Sequence, residues 1–345
     1  KGYENLLLQS NQFDTTWIKS ATSVTGGQAG YDGTNNAWLL EAVASTSARV
    51  EQPIVSNVCT LTIYAKSGTT NWMRLNAGTG GSVYFDLENG VVGNLDSQNI
   101  DNSITSVGNG WYKITSVVPS TTHFRVYPAT LNGSLATAGD NIYIQDAQLN
   151  QGLVAYPYLE TTTATAQGGL LENIPRVDWS NGVPAVLVEE QRTNLVKYSE
   201  YFDGWTKIGT PTITTNYGIS PDGQRNSTRF ESVNDRIFTD GISISANETF
   251  SLYMKGSGRV YLILGNTNDF NQVLTSEWQR YEFKTTQAGT NDVVQIRASG
   301  TALDMEIWGA QYEAATYPTS YIPTYGTTQT RSNEVISDNF DIPTT

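Results

Sequence analysis

At 345 residues the chain is long enough for two domains of ordinary size, each with its own core. Thirty-three acidic against 20 basic residues give a net charge of −13, which repels a phosphate backbone and argues against nucleic acid as a partner; no apolar run is long enough for a membrane helix, and no basic, then apolar leader opens the chain. One cysteine rules out an intrachain disulfide and one histidine rules out a histidine-built metal centre, while a 15% share of charged residues beside 31 glycines and 19 tyrosines points to strands and turns, an all-β class.

The first recognisable stretch is ENLLLQSNQFDTTWIK, Glu4 to Lys19. After it come the Asp-Gly turn of YDGTNN, with Asp32, and the alternating strand TLTIYAK behind Cys59. A Gly-Thr-Thr-Asn turn then introduces WMRLNAG, beginning at Trp72, and VYFDLENGVVGNL, with Tyr84, reads as two strands around an Asn-Gly turn. GNGWYKITSVV around Trp111, THFRVYP with His123 and Tyr127, and NIYIQDAQLNQGLVAYPYLET close a first domain, residues 1–160. Residues 161–192 read as a connector. Its polar run TTTATAQGG is flexible in composition; LLENIPRVDWSNGVPAVLVEEQ holds Pro175, Asn181-Gly182 and Pro184, the signals of a small hairpin packed on the domain that follows, with Trp179 as its anchor.

From Thr193 the chain repeats itself. Asn5, Leu6, Ser10 and Phe13 return as Asn194, Leu195, Ser199 and Phe202 at a constant offset of 189, and Trp17 and Lys19 return as Trp205 and Lys207. LTIYAKSG matches FSLYMKGS at the same offset. Later landmarks match at 167 (Trp111 and Trp278) and 163 (Gln148 and Gln311), so the first copy carries extra residues, most of them between Gly68 and Trp111; we read them as an added hairpin. Asp222 of SPDGQRNS stands where Asp32 stands, and RVYLILG with Tyr261 matches the Trp72 region. Two copies at this period are duplicated domains rather than a solenoid, and short strands at about 8–12-residue spacing mean a sandwich or barrel. The second domain covers residues 193–335, and 336–345 begin a further segment; a start at Lys1 without Met suggests a piece of a longer polypeptide.

PAVLVEEQRTNLVKYSEYFDGWTK resembles a signature of tailed-bacteriophage virion proteins (head fibres, tail fibres and spikes), in which it introduces a jelly-roll domain similar to carbohydrate-binding modules. VYFDLENGVVGN with VGNGWYKI, then SPDG, EWQRYEF, IWGAQYEAATYPTSYIPT and TRSNEV, are similar to that family's landmarks, so the resemblance spans nearly the whole chain. It implies two tandem jelly-roll β-sandwiches without chemistry of their own, presenting loops and a sheet to host-surface glycans. It further implies a virion-surface, extracellular location, a homo-oligomer, and other virion proteins as partners. Two other readings stay open: carbohydrate-binding modules from a secreted polysaccharide-degrading enzyme, and a ligand-free spacer. NQGLVAYPYLET departs from the TSYIPT wording of the second copy, which bears on the closing strand of the first.

Catalysis finds little to work with. His123 lies in a strand without a counterpart in the second copy, and Cys59 stands where that copy has Glu248. Glu189–Glu190, Asp86–Glu88 and Asp304–Glu306 would serve glycoside hydrolysis only if they faced each other across about 5–10 Å; in place they read as parts of a connector, a turn and a strand. Calcium held by loop oxygens is the candidate cofactor, at Asp32 and Asp222, where Asp-Gly is first of all turn chemistry. Aromatic rings stack on the apolar faces of sugars and leave the hydroxyls to polar neighbours. Trp17, Trp205, Trp111 and Trp278 recur at matching places and read as packing, and Trp38 and Trp308 stay open between core and surface. The glycan candidates are therefore Trp72, Tyr84, Tyr127 and Tyr261, with Arg297 as a polar partner.

Overall fold

The computed structural model describes residues 2–169, 176–178, 182–298 and 300–334. The chain divides into two compact units, residues 1–169 and 170–345. In the first, the strands are β1 (Gly2–Asn5), β2 (Ile18–Ser20), β3 (Thr22–Gln28), β4 (Ala37–Ala42), β5 (Arg49–Ser56), β6 (Cys59–Ser67), β7 (Trp72–Asn76), β8 (Ser82–Asp86), β9 (Val91–Leu95), β10 (Asp101–Gly108), β11 (Trp111–Val118), β12 (Thr121–Ala129), β13 (Asn141–Gln151) and β14 (Ala166–Gly169). Two six-stranded sheets run in the orders β10-β11-β6-β13-β4-β3 and β2-β5-β12-β7-β8-β9. Leu40, Leu61, Ile63, Ile114 and Leu149 from one meet Val50, Met73, Leu75, Phe85 and Val126 from the other in a single core. Membership of the core alternates along the strands of the second sheet, Met73 and Leu75 of β7 and Val83 and Phe85 of β8 belonging to it and Trp72, Arg74 and Tyr84 not, so every second side chain of that sheet points away from the core.

The second unit repeats this plan with β15 (Arg176–Asp178), β16 (Ala185–Leu187), β17 (Arg192–Asn194), β18 (Thr206–Ile208), β19 (Thr212–Thr214), β20 (Thr228–Ser232), β21 (Arg236–Asp240), β22 (Thr249–Ser257), β23 (Arg259–Leu264), β24 (Asn268–Val273), β25 (Gln279–Lys284), β26 (Val293–Ala298), β27 (Leu303–Glu313) and β28 (Gln329–Arg331). Its sheets run β18-β21-β26-β23-β24 and β19-β20-β27-β22-β25. Among the described residues all strand pairs are antiparallel, and the chain passes back and forth between the two sheets, with hairpins such as β3–β4, β7–β8 and β23–β24 staying within one, as in a jelly roll. Strand for strand the orders coincide, which leaves β9 and β10 as the surplus of the first copy. The expected hairpin is there, since β8 pairs with β9, but β8 has a counterpart in β24. The added residues are instead two edge strands, β9 on one sheet and β10 on the other.

The repeated signature fastens each sandwich in the same way. Asn5 is fully buried; its Nδ2 donates to the carbonyls of Ala147 (3.2 Å) and Leu159 (2.8 Å), and its Oδ1 accepts from the amides of Leu7 (3.2 Å) and Leu149 (3.1 Å). Asn194 makes the same four bonds to Ala310, Ile322, Val196 and Tyr312. Ser10 and Ser199 each meet a tyrosine hydroxyl, Tyr158 at 2.7 Å and Tyr321 at 2.6 Å. Phe13 packs on Trp17 and Phe202 on Trp205, and each indole donates to a signature carbonyl, that of Gln9 or Tyr198. The different wording of NQGLVAYPYLET changes none of this, because it still supplies the Leu159 carbonyl and keeps Tyr158 where the second copy has Tyr321.

β1 pairs with β14, and β17 with β28; β14 thus falls in the stretch read as connector. The connector hairpin is β15 with β16. Val177 and Val186 on it are 54% and 40% exposed, so these valines are not packed away as expected. Trp179, Pro175, Asn181 and residues 336–345 lie outside the described residues. Trp38 and Trp308 are core residues.

Candidate functional site

Four adjacent strands of the second sheet, β5, β12, β7 and β8, set one outward residue each side by side. Tyr127 is opposite Arg74, and Arg74 is opposite Tyr84. The Arg74 guanidinium lies between the two rings, 5.1 Å from the centroid of Tyr127 and 5.7 Å from that of Tyr84, and Arg49 approaches the Tyr127 ring at 5.9 Å. The result is a row Arg49–Tyr127–Arg74–Tyr84 held by cation–π contact. One step along the strands, Glu51 pairs with Arg49 (3.0 Å) and with Arg125, and Arg125 Nη1 donates to Asn76 Oδ1 at 3.3 Å. Arg74 has no carboxylate partner among the described residues. Its Nη2 donates to Ser82 Oγ at 3.3 Å, the Ser82 hydroxyl donates to Asp96, and its buried Nε has no hydrogen-bond acceptor.

The matching row of the second domain is Arg236–Arg297–Tyr261–Asn271. The Tyr127–Arg74 pair reappears as Arg297–Tyr261 with the two residue types exchanged between strands. Arg297 is exposed and Tyr261 half-buried; Arg259 Nη1 donates to Asn271 at 2.8 Å, and the buried Nε of Arg236 has no acceptor among the described residues.

Thus the fold brings Tyr84 and Tyr127 together, and Tyr261 beside Arg297, on equivalent faces. Tyr84 and Tyr127 are only 9% and 6% exposed, so they wall Arg74 more than they offer a ring face. Trp72 sits one row away and is half-buried: a Cβ on Gly93 would stand 2.5 Å from its ring and 2.6 Å from Asn132 Oδ1, because β9 and the loop after β12, joined where Asn94 N donates to Asn132 (2.8 Å), close over it. The reading of composition and spacing missed Arg49, Arg74 and Arg236. Their only signal is an arginine at an outward strand position, which looks the same as any solvated one.

On the opposite sheet the second domain holds a cleft of about 370 Å³ lined by Tyr217, Arg229, Lys255, Ser257, Asp304 and Glu306, among others. Its charges are matched internally: Arg229 grips Asp304 through two bonds (2.9 and 2.8 Å) and Lys255 pairs with Glu306 (3.0 Å). Arg229 holds the Asp304 carboxyl below the usual carboxylate range, the reverse of what a proton donor in glycoside hydrolysis needs. Trp278, against which Lys255 packs at 5.1 Å, is half-buried rather than core. Its counterpart Trp111 is 1% exposed because Tyr31, standing where the second copy has Pro221, lies against it and stacks on Tyr64 at 3.9 Å.

The other candidates are structural in their contacts. Asp32 Oδ1 accepts from the Thr34 amide (3.1 Å) and hydroxyl (2.8 Å), and Asp222 Oδ1 from the Ser220 hydroxyl (2.6 Å) and the Gln224 amide (3.0 Å); both close turns. Asp86 caps its own turn through the amides of Glu88 and Asn89. Glu189 pairs with Arg331 and Glu190 with Arg192. His123 Nδ1 meets Thr122 Oγ1 at 3.0 Å, and burial with the nearby Arg125 charge lowers its pKa. Cys59 is buried and its thiol is pushed up to about 12 by burial.

No protein-family model and no curated protein matches the chain. Among solved structures it is similar to the tandem CBM22-1–CBM22-2 domains of Paenibacillus barcinonensis Xyn10C, with 11% identity over 90% of this chain and 98% of that one and a TM-score of 0.28. It is also similar to the CBM22-1–GH10 modules of the Clostridium thermocellum xylanase 10B, 15% identical over 39% of this chain and 30% of that one, TM-score 0.28. A third is an exo-β-1,3-galactanase from Phanerochaete chrysosporium, 8% identical over 85% and 69%, TM-score 0.24. At such scores these likenesses decide neither ligand nor lineage. From its own strand order, the chain is a tandem of two β-sandwich domains.

Proposed function

We propose that the chain is a non-catalytic pair of carbohydrate-binding domains whose contact surface is the outward arginine–tyrosine row of each sandwich. The observation that carries the proposal is the recurrence of an adjacent Arg–Tyr pair at equivalent places, facing away from both cores. Packing does not require it there. Arginine forks reach sugar hydroxyls and ring oxygens while the rings shape the surface beside them. Two sites on one chain raise avidity when a polymeric ligand engages both.

Two settings share this function. One is a module pair attached to a secreted polysaccharide-degrading enzyme. The other, which rests on the EEQRTNL signature, is an oligomeric fibre or spike at a virion surface, meeting host glycans beside other virion proteins. Calcium at Asp32 or Asp222 belongs to the same proposal as a stiffener of the turns; a shift in thermal unfolding on adding Ca²⁺ would support it, and unchanged transitions would remove it.

The test is retention of the whole chain on a panel of immobilised polysaccharides, beside Tyr261→Ala and Tyr127→Ala together. Loss of retention by about tenfold in the double variant, with both domains still unfolding cooperatively well above the assay temperature, is the expected outcome. Retention indifferent to both substitutions would place any sugar site elsewhere, and no retention at all would leave a spacer.

A further inference from the structure

We infer that the ligand of these rows is an acidic polysaccharide, one whose sugars carry carboxylates; the inference rests on the carbohydrate-binding reading and narrows it. Residues 1–169 contain only three arginines, Arg49, Arg74 and Arg125, and all three lie on this one face, gathered around Tyr127. One carboxylate, Glu51, serves two of them, so the cluster keeps an excess of positive charge in a domain where acidic residues outnumber basic ones. Arg74 is the residue left over. The rings of Tyr127 and Tyr84 flank its guanidinium, Nη2 donates to the neutral Ser82 hydroxyl, and the nearest carboxylate in its chain of bonds, Asp96, is reached only through Ser82.

A held guanidinium with donors in hand is built to take a planar oxyanion through two parallel bonds. A neutral sugar would leave that charge uncompensated on a face where Tyr84, Tyr127, Asn76 and Ser82 are nearly buried, and desolvating an unpaired charge is unfavourable. The second domain repeats the excess: Arg236 and Arg297 face each other across β21 and β26, and no carboxylate pairs with either among the described residues. Two like charges set side by side repel, and an anion between them relieves the repulsion.

The experiment measures binding of the whole chain to polygalacturonate and alginate, to methyl-esterified polygalacturonate, which keeps the backbone without the charge, and to neutral dextran. At about 0.05 M NaCl the acids should bind and the ester should bind at least about tenfold more weakly; about 0.5 M NaCl should weaken the acid complex. Arg74→Gln combined with Arg297→Gln should cost about tenfold or more. Arg74→Lys, which keeps charge but not the fork, should fall between. Arg297→Gln alone, at an exposed position, keeps the test valid if the Arg74 variants unfold. Equal binding of ester and acid, or acid binding that survives both substitutions, overturns the inference. Retention of neutral polysaccharides only does so as well, while the carbohydrate reading stands; retention of none brings down that reading itself.

Discussion

Replacing Asn194 by alanine tests the claim that the repeated signature is a clasp. The side chain is fully buried and bridges four backbone groups: the carbonyls of Ala310 and Ile322 at 3.0 and 2.8 Å, and the amides of Val196 and Tyr312, both at 3.1 Å. Alanine leaves all four without that partner. At about 1 kcal/mol for each buried group, and with some return from water entering the vacated space, the loss is about 3 kcal/mol. For a domain of this size that is about 10 °C in Tm. The two cores share no residue, so calorimetry should show one transition moving and the other staying. Asn5→Ala, which removes the equivalent bonds, should move the other transition by a similar amount. Asn194→Asp makes a stricter control, because it keeps size and acceptor but turns an oxygen toward two carbonyls. A loss below about 1 kcal/mol in either alanine variant would mean that the four groups find other partners, and the clasp would be a consequence of the fold rather than a cause.

Three further outcomes follow from single residues. Cys59, the chain's only thiol, lies in the core of the first sandwich with its pKa pushed up to about 12 by burial, so a thiol reagent should label it only as that domain unfolds, which identifies the domain's transition; rapid labelling of the native protein would contradict the burial. Burial, with a smaller push from Asp32 and Glu160, raises the Asp146 carboxyl to about 6 against the bond from the Tyr31 hydroxyl. A raised carboxyl favours the protonated fold, so stability is greatest below the unfolded value near 4 and falls as pH rises through about 6, by about 2–3 kcal/mol. Asp146→Asn should therefore flatten the pH 4–6 slope of the first domain's Tm and raise it at pH 7; an unchanged slope refutes the assignment. Gly93→Ala should displace Trp72 and the loop around Asn132 and raise the solvent exposure of Trp72, read as a red shift in its fluorescence, whereas an unshifted spectrum would mean that β9 yields instead.

Strands, duplication and entry motif were legible because they rest on local facts: alternation, turn residues and recurrence at a fixed offset. The assignment of β9 and β10 to opposite sheets was not, since an edge strand's partner is set by the path of the whole chain. Register had the same effect at the site. Tyr84 and Tyr127 could be singled out as rings lacking a counterpart, yet Arg74 becomes distinctive only once β7 is known to lie between β12 and β8. Trp111 and Trp278 align in sequence and differ in exposure, and the reason sits about 80 and 57 residues away, in Tyr31 against Pro221. Like residues at like places imply like burial only when their covering neighbours are also alike.

The two kinds of repetition can be told apart by what is held constant. Where a side chain serves the backbone, the copies keep both residue and place: Asn5 and Asn194, Ser10 and Ser199, Gln148 and Gln311, the last pair each accepting an amide from the closing segment. A backbone group has a fixed position and direction, so only one side chain at one place satisfies it. On the outward row the copies keep the pair of residue types but exchange their strands, Tyr127–Arg74 against Arg297–Tyr261. Core packing would not tolerate that exchange, because charge and volume would move to the wrong side of a contact. A ligand lying across the strands would tolerate it, since neighbouring strands are only about 4.8 Å apart and the same guanidinium and ring meet it in either order. The pattern of exchange thus separates a surface that faces a partner from the framework that carries it.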